Sequence, residues 1–309
     1  MFPIHNVLHT KNDNSVVVRP PVKINLALHV IGYRVDGYHL LESLVTFSPD
    51  GDVVRIALSD YDDLSVDGPF SNILRNNDSN LVLQARDVFR TAANCKIGPV
   101  SIYLTKNLPI SSGVGGGSGD AAAVLIGLAT LVPTGLRIED LMRCARAIGA
   151  DVPMCLAGLV HKSALIAYGI GDKIKILTDF PSLHLVLFHP GPAVATPLVF
   201  ASLENKKNPP LFFKRDDIVS FDRLVDALRQ TRNDLYTVSR RLAPMLDEGL
   251  EILQKSGAVL VRMSGSGTMC FGLYSSAEKA QRAAQNIARY KGHCFVQATT
   301  TCGCQVTNA

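Results

Sequence analysis

The sequence predicts an α+β fold in which strands and helices follow one another in mixed rather than alternating order. Three observations predict it. Val/Ile/Leu/Phe-rich runs separated by turn clusters fill residues 15–58, a strand, glycine loop and small-residue helix follow near the middle, and residues 258–301 run strand, strand, helix, strand. With 309 residues, 47% of them hydrophobic and 19% charged, the chain is long enough and apolar enough for two domains with sizeable cores.

In order, residues 15–19, 23–31, 38–47 and 52–58 read as strands. Residues 79–93 change to a helical period, with Leu81, Ala85, Val88 and Phe89 on one face and Ser79 or Asn80 as the cap. A strand at 100–108 leads into "LPISSGVGGGSGDAAAVL" (108–125), from which a small-residue helix runs from about 118 to 131. An amphipathic helix over 137–149 stops at Gly149. The stretch "ALIAYGIGDK" reads as a connection, which places the domains at 1–167 and 168–309, the last strand being free to return to the first domain. The second domain offers a strand at 184–191, helical stretches at 197–204, 217–231 and 235–256, strands at 258–265 and 268–275, a helix at 276–290 and a strand at 293–301. That closing run reads as part of a split βαβ layer.

Composition narrows the function classes. The formal net charge is +4, and the densest basic patches, at 205–207 and 213–215, are short, so no nucleic-acid arm is present; phosphorylated small molecules remain compatible. Seven scattered cysteines, several in apolar surroundings, suit reduced cytoplasmic thiols, and the Cys302-Gly303-Cys304 pair lacks partners at zinc spacing. Residues 1–15 carry no secretory pattern and the apolar run at 121–132 is too short to span a membrane, so a cytoplasmic protein without a membrane partner is expected.

The glycine loop carries the strongest chemical signal. A glycine costs about 0.5–1 kcal/mol relative to alanine inside regular structure, so Gly113, Gly115, Gly116, Gly117 and Gly119 need a cause. Either a tight strand-to-helix turn or a cradle of backbone N–H groups for phosphate supplies one, the helix start adding its own donors. A P-loop is excluded, because Gly117-Ser118-Gly119-Asp120 stands where Gly-Lys-Ser/Thr is required. The strict dinucleotide fingerprint fails as well, and the looser form at Gly117, Gly119 and Ala122 lies too far past its strand.

Other candidates surround it. Asp151 in "IGADVPMCLAG" is a carboxylate among apolar neighbours, which suits either a proton acceptor or a helix-start aspartate. Lys23 stands inside an apolar strand, either paired with a carboxylate or snorkelling to water. Tyr38 and His39 follow the Asp36-Gly37 turn, where the tyrosine either stacks on a base or caps the core. "RMSGSGTMCFG" (262–272) is a second glycine-rich turn, read from its residues alone as a hairpin.

Together, "PVKINLALHVIGYRVDGYHLLES", the glycine loop, "IGADVPMCLAG", "HPGPAVATPLVF" and "SGSGTMCFG" resemble the GHMP kinases, small-molecule kinases of the galactose, homoserine, mevalonate and phosphomevalonate type, over about residues 19–300. The resemblance implies the two-domain GHMP kinase fold, with a ribosomal protein S5 domain 2-like N-terminal domain, a ferredoxin-like C-terminal domain, and ATP and acceptor in a cleft between them. Within the superfamily the likeness points to phosphorylation of the 2-hydroxyl of 4-diphosphocytidyl-2-C-methyl-D-erythritol, in isoprenoid precursor biosynthesis. It implies Asp151 as proton acceptor beside Lys23, and Gly113, Val114, Gly115, Gly116, Gly117 and Ser118 around the ATP phosphates. Asn80, Leu81, Lys106 and Pro109 would line the adenine side. Tyr38 and Phe200 would sandwich the cytosine, His39 would read its edge, and Asn25, Thr196, Ser264, Gly265 and Gly267 would stand near the substrate. ATP is the implied co-substrate and Mg²⁺ its companion, with no dedicated metal ligands on the protein; a monomer or weak dimer acting on small molecules is expected. The chain departs from the family at Ser111 and Ser112, where glycine or alanine is common, at Gly119 in place of serine, and at Tyr236 in place of glutamate. A mevalonate- or homoserine-type kinase, or a non-catalytic ligand sensor on the same fold, are the alternatives.

Overall fold

The computed structural model describes residues 7–9, 14–73, 80–93 and 97–302. In chain order the strands are β1 (Val7–His9), β2 (Ser15–Val18), β3 (Val22–Tyr33), β4 (His39–Ser48), β5 (Val53–Leu58), β6 (Asp63–Asp67), β7 (Val100–Thr105), β8 (Leu165–Gly169), β9 (Lys173–Ile176), β10 (His184–His189), β11 (Leu260–Met263), β12 (Cys270–Tyr274) and β13 (Phe295–Thr300). The α-helices are α1 (Leu81–Ala92), α2 (Gly116–Leu131), α3 (Ile138–Ile148), α4 (Val152–His161), α5 (Thr196–Ala201), α6 (Phe221–Arg229), α7 (Tyr236–Leu242), α8 (Met245–Lys255) and α9 (Ala277–Tyr290). They group into two units: the described residues of Met1–Val22, Asp50–Ile110 and Gly115–His161 form the first, and those of Lys23–Pro49, Ser111–Val114 and Lys162–Ala309 the second. Both are discontinuous, so a single cut at 167/168 does not separate them.

The first unit is a five-stranded sheet in the order β1-β2-β5-β7-β6, with α1 to α4 as its helices. All neighbours are antiparallel except β6 and β7. Helix α2 packs on β2 and β5 and against α1, α3 and α4. It is buried continuously from Gly119 to Leu128, which explains an apolar sequence without a polar face. Its close approach to the sheet needs Gly127, where a Cβ would stand 2.6 Å from Ile56 Cδ1. Val16, Val18, Val54, Ile56, Ile102, Leu104, Val124 and Leu125 form the centre of this core.

The second unit holds two four-stranded sheets, β3-β4-β8-β9 and β11-β12-β10-β13. In the latter every neighbouring pair is antiparallel, and α8 and α9 pack on it. Reading β10, α8, β11, β12, α9, β13 along the chain gives the ferredoxin-like arrangement. The last strand stays in this unit, paired with β10. Phe188, Leu246, Leu253, Cys270, Tyr274 and Ile287 are the buried centre of its core, where each large side chain contributes about 1.5–3 kcal/mol by leaving water.

The structure departs from the sequence reading in several places. The stretch 235–256 is two helices, because Ala243 takes a non-helical conformation (φ −138°, ψ 80°) before Pro244, as residues preceding proline do. Residues 165–176 form the hairpin β8–β9 rather than a connection. Helix α4 is additional; Pro153 sits in its first turn, where a missing N–H is harmless. Strand β6 is additional too, a half-polar edge strand in which only Leu64 is buried. Ser79, Cys95 and Cys304 lie outside the described residues. No helix among the described residues is long and apolar enough to cross a membrane.

Candidate functional site

In the first unit, the glycine loop leads into α2 through Gly115, which takes the left-handed conformation (φ 68°) ahead of Gly116. No side chain among the described residues caps the helix, so the N–H groups of its first turn are left as donors at the positive end of the helix dipole. The helix thus begins at Gly116, two residues earlier than its sequence suggests, and Ser118 lies inside its first turn. Asn80 caps α1 by accepting from Val82 N at 3.0 Å, while its Nδ2 is buried without a hydrogen-bond partner among the described residues. Leu81 lies beside this start, 3.6 Å from where a Cβ on Gly117 would stand, so the openings of α1 and α2 adjoin. Pro109 is buried at the head of the loop. Lys106 Nζ is enclosed by Asp52 and Asp120, each making an ion pair with it.

In the second unit, the residues 111–114 and the turn at 264–267 meet backbone to backbone. Gly113 takes φ 82°, and a Cβ there would stand 2.4 Å from Ser264 O and 2.9 Å from Gly267 N, so only glycine fits. Ser264 Oγ donates to Gly113 O at 3.1 Å and accepts from Asn25 N at 3.1 Å. Met269 N donates to Ser112 O at 2.9 Å, and Lys23 N to Val114 O at 3.1 Å. Asn25 Nδ2 donates to Ser43 Oγ at 2.8 Å, leaving its buried Oδ1 without a partner among the described residues. Thr196 Oγ1 and Ser266 Oγ share a hydrogen bond of 2.7 Å. The structure therefore gathers Asn25, Gly113, Val114, Thr196, Ser264, Gly265 and Gly267 around one turn. The sequence reading missed its supports: Asn233 Nδ2 donates to Met263 O and Gly265 O at 2.9 and 2.8 Å, and Ser239 Oγ to Ser266 O at 2.8 Å.

Nearby in chain terms, His39 opens β4 between two rings. Its centroid lies 5.0 Å from Phe200, tilted by 37°, and 5.1 Å from Tyr33, edge-on at 66°. Lys206 Nζ stands over the Tyr33 ring at 4.6 Å. Burial first, and then the Lys206 charge, hold the imidazole below its ordinary value, so it is neutral at pH 7. His39 Nε2 is buried and has no partner among the described residues. Tyr38 is 53% exposed, which rules out the core-capping alternative. Tyr33 and Lys206 were not singled out from the sequence; a tyrosine one strand-end away carries no local signal.

Lys23 is 3% exposed in β3, so its ammonium does not snorkel to water. Asp151 is half-buried immediately before α4, and its carbonyl accepts from Cys155 N at 3.2 Å, the first hydrogen bond of the helix. The helix-start position and a chemical role are compatible there. Among the described residues no group of three or more His, Cys, Asp or Glu side chains could hold a metal ion.

A family model described as the GHMP kinases N terminal domain matches residues 80–159, and one described as GHMP kinases C terminal matches residues 212–293. The chain is 46% identical, over 92% of its length and 94% of the relative's, to a 4-diphosphocytidyl-2-C-methyl-D-erythritol kinase of Rhizobium meliloti (strain 1021). A crystal structure of 4-(cytidine 5'-diphospho)-2C-methyl-D-erythritol kinase is similar with a TM-score of 0.74 and 32% identity, covering 93% of this chain and 99% of that one. The homoserine kinase from Cytophaga hutchinsonii matches with a TM-score of 0.68 over 96% of this chain and 97% of that one; at 17% identity it shares the fold.

Proposed function

The chain belongs to the GHMP kinase family, and on that premise we propose that it transfers the γ-phosphoryl group of ATP to the 2-hydroxyl of 4-diphosphocytidyl-2-C-methyl-D-erythritol, giving the 2-phosphate and ADP. The observation that carries the choice of acceptor is His39: a neutral imidazole held against Phe200, with a buried ring nitrogen lacking a partner. A pyrimidine edge supplies that partner, and a base face supplies the stacking surface that exposed Tyr38 otherwise lacks. Phe200 takes the opposite face. Asn25, Thr196, Ser264, Gly265 and Gly267 border the acceptor, the buried Asn25 Oδ1 offering an acceptor for its hydroxyl groups.

The backbone from Gly113 to Ser118 wraps the nucleotide phosphates, with the open N–H groups of the α2 start as donors. Asn80, Leu81 and Pro109 form the adenine side, where the buried Asn80 Nδ2 is a free donor for the base. No side-chain ligand set is assigned to Mg²⁺ here; brought by the nucleotide, the ion would offset the charge of its phosphates. In the transfer, the 2-hydroxyl oxygen bonds to the γ-phosphorus as the bond to the bridging oxygen of ADP breaks, and the hydroxyl proton passes to the Asp151 carboxylate. Lys23 offsets charge that develops on the equatorial oxygens. The reading takes the protein as a cytoplasmic monomer or weak dimer that works on small molecules.

Asp151→Asn tests this directly. It removes the proton acceptor while keeping size and polarity, so kcat falls by about 10²–10⁴-fold with MgATP affinity retained. A variant that keeps kcat within threefold places the proton acceptor elsewhere.

A further inference from the structure

Below the start of α2 lies a charged cluster that no step above uses. Lys106, Asp52 and Asp120 are 3%, 0% and 2% exposed as side chains, a costly burial unless their charges are matched. Lys106 Nζ donates to Asp120 Oδ2 at 2.7 Å and also bonds Asp52 Oδ2. The other oxygen, Asp52 Oδ1, accepts from Asn107 N at 2.6 Å and Leu108 N at 3.0 Å. The Lys106 backbone is itself committed, its N–H to Asp67 O at 2.8 Å and its carbonyl to Phe70 N at 3.2 Å. The three charges therefore bolt together the chain just before β5, the exit of β7, and the second turn of α2.

The first residue of α2 rests on this cluster. A Cβ on Gly116 would stand 3.4 Å from Lys106 Nζ and 3.5 Å from Asp52 Oδ2. We infer that the Asp52–Lys106–Asp120 cluster positions the α2 start, holding its N–H donors in the geometry that binds nucleotide phosphate, and that Lys106 acts through these carboxylates rather than by touching the adenine. The inference rests on the loop being a phosphate cradle. It explains why a lysine at the head of a phosphate loop keeps its ammonium turned inward, where it meets two carboxylates and no solvent. Burial pushes the Asp120 carboxyl up, against the pull of the Lys106 ammonium, which ties the ionised cluster to that contact.

Titration of the full chain with MgADP, and separately with CDP as a probe of the cytidine side, decides the matter. Asp120→Ala removes the tie to Lys106; the dissociation constant for MgADP is expected to rise tenfold or more while that for CDP moves less than twofold. Asp120→Asn restores an oxygen for Lys106 and is expected to return MgADP affinity to within threefold of the parent. Should the alanine variant not fold, Asp120→Ser, whose hydroxyl falls short of Lys106, takes its place in the comparison. Equal MgADP affinity in the parent and the alanine or serine variant overturns the inference, as does an equal loss for MgADP and CDP, the mark of a merely structural role. A parent chain that binds MgADP without phosphorylating the cytidyl acceptor contradicts the proposed acceptor only, because the affinities alone carry this test. A parent that binds no MgADP overturns the cradle and this inference with it.

Discussion

At the scale of single residues, two positions carry most of the chemical argument. Gly113 stands in the left-handed region within reach of Ser264 and Gly267 backbone atoms, so Gly113→Ala places a methyl group into main chain that has no side chain to yield. Strain of this kind costs about 1–3 kcal/mol; urea unfolding should show a loss in that range, and an unchanged midpoint would contradict the packing described. His39 is the second. Because burial and then the Lys206 ammonium lower its imidazole, Lys206→Ala should let the ring titrate closer to its ordinary value while burial keeps it below. An NMR titration of the ring proton checks this, and an unmoved midpoint would mean that Lys206 does not face His39. Ser111 has a positive φ of 56°. The departure noted in the sequence thus falls on a conformation that glycine would take more readily.

At the scale of elements, what was legible and what was not follows from where each signal resides. Strands β2, β3, β4 and β5 announce themselves through local β-branched runs, and α9 through a strong helical period with Ser276 as its cap. Helix α4 stays hidden because its sequence is apolar all round and Pro153 reads locally as a breaker. Strand β6 stays hidden because most of its residues are polar and its pairing with β7 comes from far along the chain. The site shows the same division. The glycine loop is visible as a rare local cluster, whereas Asn233, Ser239 and Asp52 are lone polar residues whose roles arise only when distant backbone reaches them. Asp62, just before β6, gives this tertiary wiring a pH signature. It bonds Arg90 through both oxygens at 2.6 and 2.7 Å and accepts from Val100 N at 2.9 Å, joining α1 to β7. The Arg90 hydrogen bond, above all, holds its carboxyl down to about 2, against an unfolded value near 4. A depressed folded value adds stability above the unfolded one and loses it as pH falls toward 2. The urea midpoint of the parent should therefore drop between about pH 4 and pH 2 more steeply than that of Asp62→Asn. Parallel curves would remove Asp62 from the account.

At the scale of the whole molecule, fold and function separate. The same architecture serves a homoserine kinase at 17% identity, so the fold alone does not choose the acceptor. Under the proposed function that choice falls to side chains: the neutral His39 with its unpartnered buried nitrogen, the rings of Tyr33 and Phe200, and exposed Tyr38. A mevalonate or homoserine acceptor has no base to satisfy them. The most direct measurement is ADP release by the purified protein with MgATP, comparing 4-diphosphocytidyl-2-C-methyl-D-erythritol with mevalonate, homoserine and galactose. The account predicts turnover on the cytidyl acceptor alone. Turnover on any of the other three at a comparable kcat/KM, or ATP binding without turnover on all four, would contradict it.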